Sequence, residues 1–379
     1  MFNPSLSHEQ KALRELARQF AQNEIVPIAA EADRSGEYPW ELVEKAHAIG
    51  LINVTVPDEY GGGGLGHFED CLVVEEIAAG CAGIASSFVT SSLGLTPLNI
   101  AATPEQMERF MKPLCAEPAL AAFCLTEPGA GSDAASIRTI ARRDGDFYIL
   151  NGTKRFITNA GQASLYTVAA TLDPTLRHRG FVVLLVPADA AGISLGKEED
   201  KMGQRAASTR EVVFEDVRVP VESRLGGEGA GFHLVMETLD KLRAEVAAMA
   251  VGVARAAMEA AVKYAKEREQ FGQPIASFQG IQFKLADMAI KIEASRLLVW
   301  QAAWMADEDL RNGYESAIAK CFAADSAMQI TTDAVQIFGG YGYIKEYPVE
   351  KYMRDAKLLQ IYEGTSEIQR LVISRWLLK

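Results

Sequence analysis

Residues 144–159, DGDFYILNGTKRFITN, decide the fold class of this chain. They contain two dipeptides that are typical of tight β-hairpin turns, Asp144-Gly145 and Asn151-Gly152. Short runs rich in β-forming residues lie between and after these dipeptides: Phe147–Leu150, Arg155–Thr158, Phe181–Val186 and Glu211–Phe214. We therefore predict a β domain, either a β-barrel or an orthogonal β-sandwich, over residues 119–225.

Helical patterns flank this β domain on both sides. Before it, Ser7 and Gln10 have the spacing of a capping box, and an apolar helical stripe follows. The charge-free stretch 77–104 is typical of a helix that is buried on all sides or that lines an apolar pocket. After the β domain come four segments with the pattern of helices: Phe232–Arg268, Phe278–Asp307, Tyr314–Phe338 and one that follows Thr365.

Four helical segments with short links predict a bundle. The predicted fold class is therefore an α+β multidomain chain. Residues 1–118 form an N-terminal all-α domain, residues 119–225 the middle β domain, and residues 226–379 a C-terminal four-helix bundle. A length of 379 residues, with 49% hydrophobic and 23% charged residues, is ordinary for a globular chain of two or three domains.

Charge and cysteine usage exclude several classes of protein. The net charge of −12 would repel a phosphate backbone, so we expect no nucleic-acid partner. No apolar run reaches the roughly 18 residues of a membrane span, and the N-terminus lacks the pattern of a secretory signal. Five scattered cysteines and no metal-ligand spacing predict buried thiols and no metal site. The expected location is the cytoplasm, or the mitochondrial matrix if the chain is a processed form.

Two segments of the β domain have the composition of a ligand site. The glycine-containing loop Phe123–Asp133 exposes backbone N–H groups that could hold a ligand, or it simply connects a helix to a strand. It is not a Rossmann motif, because Ala134 occupies the last glycine position. In the second segment, Phe156 and Thr158 are two residues apart on a strand and so share a face. They would stack and hydrogen-bond a flat cofactor, or belong to a half-buried strand.

Two further candidates lie in the helical region. Asp240 and Arg243 share one helical face at i,i+3 spacing, so they either hold a polar ligand or pair with each other. Glu363 follows an apolar-rich run and precedes Gly364. A carboxylate that a ligand desolvates would have a raised pKa and could act as a general base. The alternative is an acid near a helix start, where Thr365 or Ser366 could cap the helix.

Taken together, these segments resemble the acyl-CoA dehydrogenase family from end to end, and most closely its short- and medium-chain branch. Six matching segments occur in the family's order over more than 300 residues. They are Val56–Gly62, Thr126–Asp133, Phe156–Asn159, Arg268 with Phe271-Gly272, Gln336–Gly340 and Ile361–Thr365.

The resemblance implies a homotetramer with FAD held between the β domain and the bundle. Phe156 would lie against the flavin ring and Thr158 near its reactive nitrogen. Part of the set would reach the FAD of a neighbouring subunit: Arg268, Phe271, Gln279, Gln336, Gly339 and Gly340. The remaining implied FAD contacts are Phe123, Leu125, Thr126, Gly131, Ser132, Thr365 and Glu367. Acyl-CoA would contact Ser132, Asp240, Arg243, Tyr362 and Gly364.

The resemblance also implies the reaction. Glu363 would remove the α-proton of an acyl-CoA thioester while the β-hydrogen leaves as hydride to the flavin, giving a trans-2-enoyl-CoA. Electrons would then pass to an electron-transfer flavoprotein. Some branches carry the base one residue before Arg243, but here that residue is Leu242, which leaves Glu363 as the family-consistent base. Glu245 departs from the family, whose members usually have a small or apolar residue there; it either faces solvent or contacts substrate.

The resemblance places part of the charge-free stretch 77–104 around the far end of the acyl pocket, and this stretch offers no cation for a second carboxylate, so the acyl tail should be neutral. Val89 and Leu95 suggest an apolar end, and we expect a C4 to C8 acyl-CoA. Two other functions were weighed: a catalytically silent homologue that acts as a scaffold, and an acyl-CoA oxidase that passes electrons to oxygen.

Overall fold

Three blocks of secondary structure follow one another along residues 3–379, which the computed structural model describes. The first block is helical, with short π-helical turns at Ala21–Ile25 and Met107–Met111. Its helices are α1 His8–Phe20, α2 Val26–Ser35, α3 Trp40–Ala48, α4 His67–Gly80, α5 Ala82–Ala101, α6 Pro104–Gln106 and α7 Lys112–Ala116.

The local signals in this block predict its helices correctly. The Ser7 hydroxyl accepts a hydrogen bond from the Gln10 N–H at 3.2 Å, and the Gln10 side chain accepts one from the Ser7 N–H at 2.9 Å, so the capping box is confirmed. The charge-free stretch covers the end of α4 and all of α5, which is buried along most of its length. It is therefore a core helix, as its composition indicates.

The middle block is one branched sheet. Its strands are β1 Ala121–Cys124, β2 Ile140–Asp144, β3 Phe147–Thr158, β4 Leu165–Thr171, β5 Phe181–Pro187, β6 Ile193–Leu195, β7 Thr209–Pro220 and β8 Arg224–Leu225. The order is β6-β7-β3-β2-β4-β5-β8, with β1 parallel to β4. Alternate residues of β1, β4 and β5 face two apolar cores, one against the N-terminal helices and one within the sheet domain, whereas β2, β3 and β7 contribute to the second core alone.

One of the two predicted hairpin turns is correct and the other is wrong. Asp144 pairs with Phe147 across a two-residue loop in which Gly145 has φ +60°, as a tight turn requires. Asn151-Gly152 instead lies inside β3, where the register with β7 shifts, so the two predicted β runs form one bulged strand. A Cβ on Gly152 would come within 2.6 Å of the Thr139 Cα, which explains the glycine.

The third block is a helical bundle. Its elements are α8 Gly231–Glu267, a small hairpin of β9 Glu269–Gln270 and β10 Gln273–Pro274, α9 Gln279–Asp307, α10 Gly313–Phe338, α11 Val349–Leu359 and α12 Ser366–Leu377. The four predicted helices are present, but the sequence analysis missed α11. This short helix begins after Pro348 and is rich in charge, and its buried Lys351 pairs with Asp355 at 2.6 Å.

Polar contacts join the three blocks at one junction. The Asn159 side-chain amide donates to the Ser87 carbonyl at 2.8 Å, which ties β3 to α5. Arg354 of α11 pairs with Asp33 of α2 at 2.7 Å.

All five cysteines are buried and unpaired. Over residues 3–379, no helix combines the length and the hydrophobicity that a membrane crossing requires.

Candidate active site

The turn between α11 and α12 carries Glu363 in an unusual backbone conformation. Glu363 has φ +52° and Gly364 has φ +84°, so two successive residues are left-handed. For glutamate this conformation is costly, and it persists only where the surrounding structure holds it. A side chain at Gly364 is excluded because its Cβ would lie 2.6 Å from the Gln369 amide nitrogen. The turn is thus a constrained feature rather than a loose connection.

Two buried side chains donate hydrogen bonds to the carbonyl groups of this turn, and the sequence analysis missed both. The Lys320 ammonium group of α10 donates a hydrogen bond to the Gly364 carbonyl at 2.6 Å. The Gln369 amide donates to the same carbonyl at 3.0 Å and to the Glu363 carbonyl at 3.1 Å. Lys320 and Gln369 are both fully buried. The signal in the sequence that could have identified Lys320 is its position between small and apolar residues of α10, where a charged side chain is unexpected.

The Glu363 side chain is free to react. Its carboxylate and its backbone N–H make no hydrogen bond to another residue of the described chain. Burial raises the pKa of the Glu363 carboxyl above its ordinary value, while the cations of Lys320 and Arg243 oppose that rise. A carboxyl group with a raised pKa and no internal partner fits a general base.

Helix capping at α12 is done by a neighbour and not by Glu363. The Thr365 hydroxyl accepts a hydrogen bond from the Ile368 N–H at 3.2 Å, as an N-cap residue does. Glu367 lies exposed in the first helical turn, where the N–H groups of the helix start and the Thr365 hydroxyl lower its pKa. Of the two cap residues that the sequence allows, Thr365 is the one used, and the Glu363 side chain makes no capping hydrogen bond within the described chain.

Tyr362 connects the turn to the β domain. Its hydroxyl lies 3.4 Å from the Gln204 side-chain amide, which also donates to the Asp355 carbonyl at 3.1 Å. Burial raises the pKa of the Tyr362 phenol, so the hydroxyl keeps its proton. The turn that carries Glu363 is thereby held against a loop of the middle block.

Asp240 and Arg243 form an ion pair within α8. Arg243 is buried, and its Nε atom has no hydrogen-bond partner. The sequence left open whether these two residues pair with each other or hold a polar ligand, and the structure shows the pair. The unpartnered Nε leaves the guanidinium with an unused donor.

A buried ion pair shapes the glycine-containing loop of the β domain. The Lys154 ammonium contacts the Glu127 carboxylate at 2.8 Å and the Leu125 carbonyl at 2.9 Å. Glu127 also accepts from the N–H groups of Arg138 and Thr139. The loop beyond it is open: Gly131 and Ser132 are exposed, and a Cβ at Gly131 would meet nothing within 4 Å. Phe123 is buried, whereas Leu125 and Thr126 are half-buried.

Phe156 lies in an irregular part of β3. It has φ +57° and lies in a second register shift, between the Lys154 and Ile157 pairings with β7. Its ring is 61% exposed, with Arg155 5.1 Å from the ring centroid. The bulge interrupts the regular pairing with β7, but burial still alternates here, with Ile157 buried between exposed Phe156 and half-buried Thr158, so their shared face stays a prediction. The outcome is an exposed aromatic ring beside half-buried Thr158.

Another set of predicted site residues clusters at the far end of the bundle. Arg268, Gly339 and Gly340 line one open groove of about 520 Å³, in which the Arg268 guanidinium lies 5.5 Å from the Tyr341 ring centroid. Phe271 has φ +54° and is 92% exposed. Gln279 and Gln336 are exposed at the start of α9 and the end of α10. The Phe271 ring packs edge-on against Phe278, with ring centroids 6.0 Å apart.

Glu245 does not face solvent. It is fully buried, and the His67 ring donates or accepts a hydrogen bond with its carboxylate at 2.9 Å. Burial raises the pKa of Glu245 and of nearby Asp70 well above their ordinary values and lowers the pKa of His67. Asp307 lies close enough to add its charge to the same cluster. Glu245 and Asp70 therefore form the buried part of an acidic cluster between α4, α8 and α9, with Asp307 at its exposed edge.

We expect Glu245→Gln to stabilise the protein at pH 8 by about 1–3 kcal/mol, because an amide removes the cost of a buried acid. A neutral His67 can donate Nδ1–H to the amide oxygen equally well. The raised pKa means that the folded state binds the extra proton, so the stability of the parent falls as pH rises above ~4.3, the ordinary glutamate value. The gain should therefore shrink towards pH 5.

Denaturant unfolding of the FAD-loaded protein at pH 5 and pH 8 measures this difference. Glu44→Gln is the control, since Glu44 is exposed on α3. A loss of stability in Glu245→Gln at pH 8 would mean that Glu245 is ionised and paired, and would contradict the prediction.

Comparisons with known proteins identify the family. Residues 7–118, 122–217 and 229–378 match the N-terminal, middle and C-terminal domains of acyl-CoA dehydrogenases. The mitochondrial short-chain specific acyl-CoA dehydrogenase of Bos taurus is 45% identical over 376 residues, which cover 99% of this chain and 91% of that protein.

Solved structures agree with this match over the whole chain. The butyryl-CoA dehydrogenase of Megasphaera elsdenii is 44% identical, with a TM-score of 0.97 and full coverage of both chains. A chain in the structure reported for the electron transferring flavoprotein of Acidaminococcus fermentans is also 44% identical, with a TM-score of 0.98 and full coverage of both.

The fold and the matches define a three-domain flavoprotein oxidoreductase. The chain belongs to the acyl-CoA dehydrogenase family, and it is similar to the short-chain type within that family. The resemblance inferred from the six sequence segments is thus confirmed, as is the predicted class of N-terminal helical, middle sheet and C-terminal helical domains.

Proposed function

We propose that the chain is an FAD-dependent dehydrogenase of neutral short- or medium-chain acyl-CoA thioesters, with Glu363 as the general base. The observation that carries this proposal is the Glu363 carboxyl group. It has no hydrogen-bond partner, burial raises its pKa, and a left-handed turn held by two buried side chains fixes its place. The domain boundaries at residues 118 and 225 are part of the same proposal.

The residues present fit FAD. The open loop at Gly131 and Ser132 would admit a ligand to backbone N–H groups, and the exposed Phe156 ring offers a stacking surface beside the Thr158 hydroxyl. Phe123, Leu125, Thr126, Thr365 and Glu367 are proposed as further residues that would hold FAD. When bound, FAD supplies a hydride acceptor.

The protein's own residues would perform the proton chemistry. The Glu363 carboxylate would remove the α-proton of the thioester, and its backbone N–H, which is unused within the chain, would donate a hydrogen bond to the thioester oxygen. A donor fixed in advance stabilises the negative charge that develops on that oxygen. The β-hydrogen leaves as hydride, and the product is a trans-2-enoyl-CoA. Tyr362 and Gly364 would border the reacting carbons.

The CoA part would be held by polar groups nearby. Arg243 keeps one unpartnered, buried Nε donor even in its ion pair with Asp240. Such a donor favours a ligand oxygen, because an unsatisfied buried polar group is costly. We therefore propose Asp240, Arg243 and Ser132 as substrate contacts. Anaerobic bleaching of the flavin by a panel of acyl-CoA thioesters tests the proposed function directly.

We propose further that the chain forms a homotetramer and passes electrons to an electron-transfer flavoprotein, in the cytoplasm or, for a processed form, the mitochondrial matrix. The exposed groove of Arg268, Gly339 and Gly340, with exposed Phe271 nearby, supports an inter-subunit FAD contact. Gln279 and Gln336 would complete that contact. Peroxide production in air at a rate equal to turnover would instead indicate an oxidase, and a colourless purified protein a silent scaffold.

Arg268→Ala should weaken FAD binding by about 10- to 100-fold. A hydrogen bond from a charged donor contributes about 1.5–3 kcal/mol, and each 1.4 kcal/mol is tenfold in affinity. The measurement is the FAD dissociation constant, obtained by reconstituting the apoprotein. Lys266→Ala is the matched control, because Lys266 is exposed two residues away. Equal FAD affinity in the two variants would remove Arg268 from the cofactor site.

A further inference from the structure

Lys320 is a fully buried cation whose place in the fold the proposed reaction does not yet use. It lies in the middle of α10, among alanines and other small residues of the bundle core. Burying a lysine is costly unless its ammonium group is paired and hydrogen-bonded. Its one hydrogen bond in the described chain goes to the Gly364 carbonyl at 2.6 Å, in the turn that carries Glu363.

We propose that Lys320 is a positioning residue for Glu363: it fixes the turn through the Gly364 carbonyl and supplies a buried positive charge to the Glu363 carboxylate. This inference rests on the proposed role of Glu363 as the base. Lys320 itself touches neither substrate nor cofactor in this account, and it acts only through the residue beside it.

The first half of this role is mechanical. Glu363 and Gly364 are both left-handed, and this conformation must be held by outside contacts. The Lys320 ammonium and the Gln369 amide converge on the same Gly364 carbonyl, at 2.6 Å and 3.0 Å. The two donors together orient the peptide that follows the base. Removing either one should loosen the turn.

The second half is electrostatic and belongs to Lys320 alone. Its charge opposes the effect of burial on the Glu363 carboxyl and so keeps the pKa of that group from rising further. Burial lowers the pKa of Lys320 to about 8, which leaves the ammonium charged at neutral pH. Gln369 shares the carbonyl contact but has no charge. The two residues thus separate the mechanical effect from the electrostatic one.

Other charged and titratable groups near Lys320 and Glu363 are already paired or remain neutral. Arg243 also faces Glu363, but its charge is balanced by Asp240. Asp325 pairs with Arg370 at 2.6 Å. Burial raises the pKa of the Cys321 thiol, so that group stays neutral at pH 7. Lys320 is consequently the cation whose removal changes the charge around Glu363 most.

The test compares Lys320→Met with Gln369→Leu in the FAD-loaded protein. Both variants lose a donor to the Gly364 carbonyl, and both should slow flavin reduction. Lys320→Met should also move the acidic limb of the pH profile of kcat/KM upward by about one pH unit, because the carboxyl loses a nearby positive charge. Gln369→Leu should leave that limb in place. The ratio of parent to Lys320→Met rates is then largest at low pH.

Two further measurements separate this role from a purely structural one. Flavin absorbance and thermal unfolding report whether each variant folds and retains FAD. An infrared pH titration of the resting protein, with Glu363→Gln as the difference reference, gives the carboxyl titration without turnover. If Lys320→Met fails to retain FAD, Lys320→Gln keeps a donor, removes the charge, and serves the same test.

An acidic limb that is unchanged in Lys320→Met or Lys320→Gln would overturn the electrostatic role. An equal shift in Gln369→Leu would overturn it as well, because the shift would then follow from a loosened turn. Neither result touches the proposed function, which fails separately if Glu363→Gln reduces its flavin at the parental rate.

Discussion

Glu363→Gln is expected to retain FAD and to bind acyl-CoA, but to reduce its flavin about three to four orders of magnitude more slowly than the parent. A positioned general base contributes about 10²- to 10⁴-fold to a proton transfer, and an amide cannot accept the α-proton. Glutamine has nearly the shape of glutamate, so the turn that Lys320 and Gln369 hold should remain. The loss therefore reports the proton transfer and not the fold.

Anaerobic stopped-flow bleaching of the flavin by butyryl-CoA or hexanoyl-CoA measures this rate. Glu44→Gln removes an exposed carboxylate on α3 and should reduce its flavin at the parental rate. The FAD content and the thermal unfolding temperature of both variants should equal those of the parent. Flavin reduction by Glu363→Gln within a factor of about ten of the parent would mean that another group removes the proton.

Sequence reasoning located Glu363 but not the contacts that hold it. Motif order over the chain was enough to single out the turn at residues 361–365, because family motifs are local in sequence. Lys320 and Gln369 reach that turn from two other helices, and no spacing rule connects residue 320 to residue 364. Contacts between distant segments are set by packing, which a single sequence does not reveal.

Two irregularities of β3 were not predicted from the sequence, and they have a shared cause. Asn151-Gly152 has the composition of a turn, yet the chain uses this glycine for close approach to Thr139 inside β3. Phe156 has the spacing of a regular strand residue, yet it lies in a bulge and has φ +57°. Local propensity predicts the element in both places, while the pairing with β7 decides its irregularities. Exposure of the predicted ligand-contacting ring depends on such an irregularity.

Glu245 shows the same limit for charge. A glutamate at this place in the sequence suggests solvent or a polar ligand, and only the structure supplies the buried partner His67 on α4. The helical pattern of α8 is no guide here, because the helix is buried along most of its length and the polar residues Thr238, Arg243 and Glu245 are buried with it. The burial of Glu245, and with it the raised pKa of its carboxyl group, follows from the packing of the bundle.

Glutaryl-CoA should be turned over at least about 1,000-fold more slowly, in kcat/KM, than hexanoyl-CoA. Helix α5 contains no charged residue, so a second carboxylate at the end of an acyl chain beside it would have no cation. An unpaired buried carboxylate costs several kcal/mol, and about 4 kcal/mol corresponds to three orders of magnitude.

The monomethyl ester of glutaryl-CoA separates charge from size in this comparison. It keeps the chain of glutaryl-CoA and adds a methyl group, but it carries no negative charge. If charge is the reason for discrimination, the ester should be turned over within about tenfold of hexanoyl-CoA, while the free acid stays near the lower limit of detection. Slow turnover of both glutaryl compounds would place the discrimination in chain shape, and comparable turnover of glutaryl-CoA and hexanoyl-CoA would require a cation that α5 does not contain.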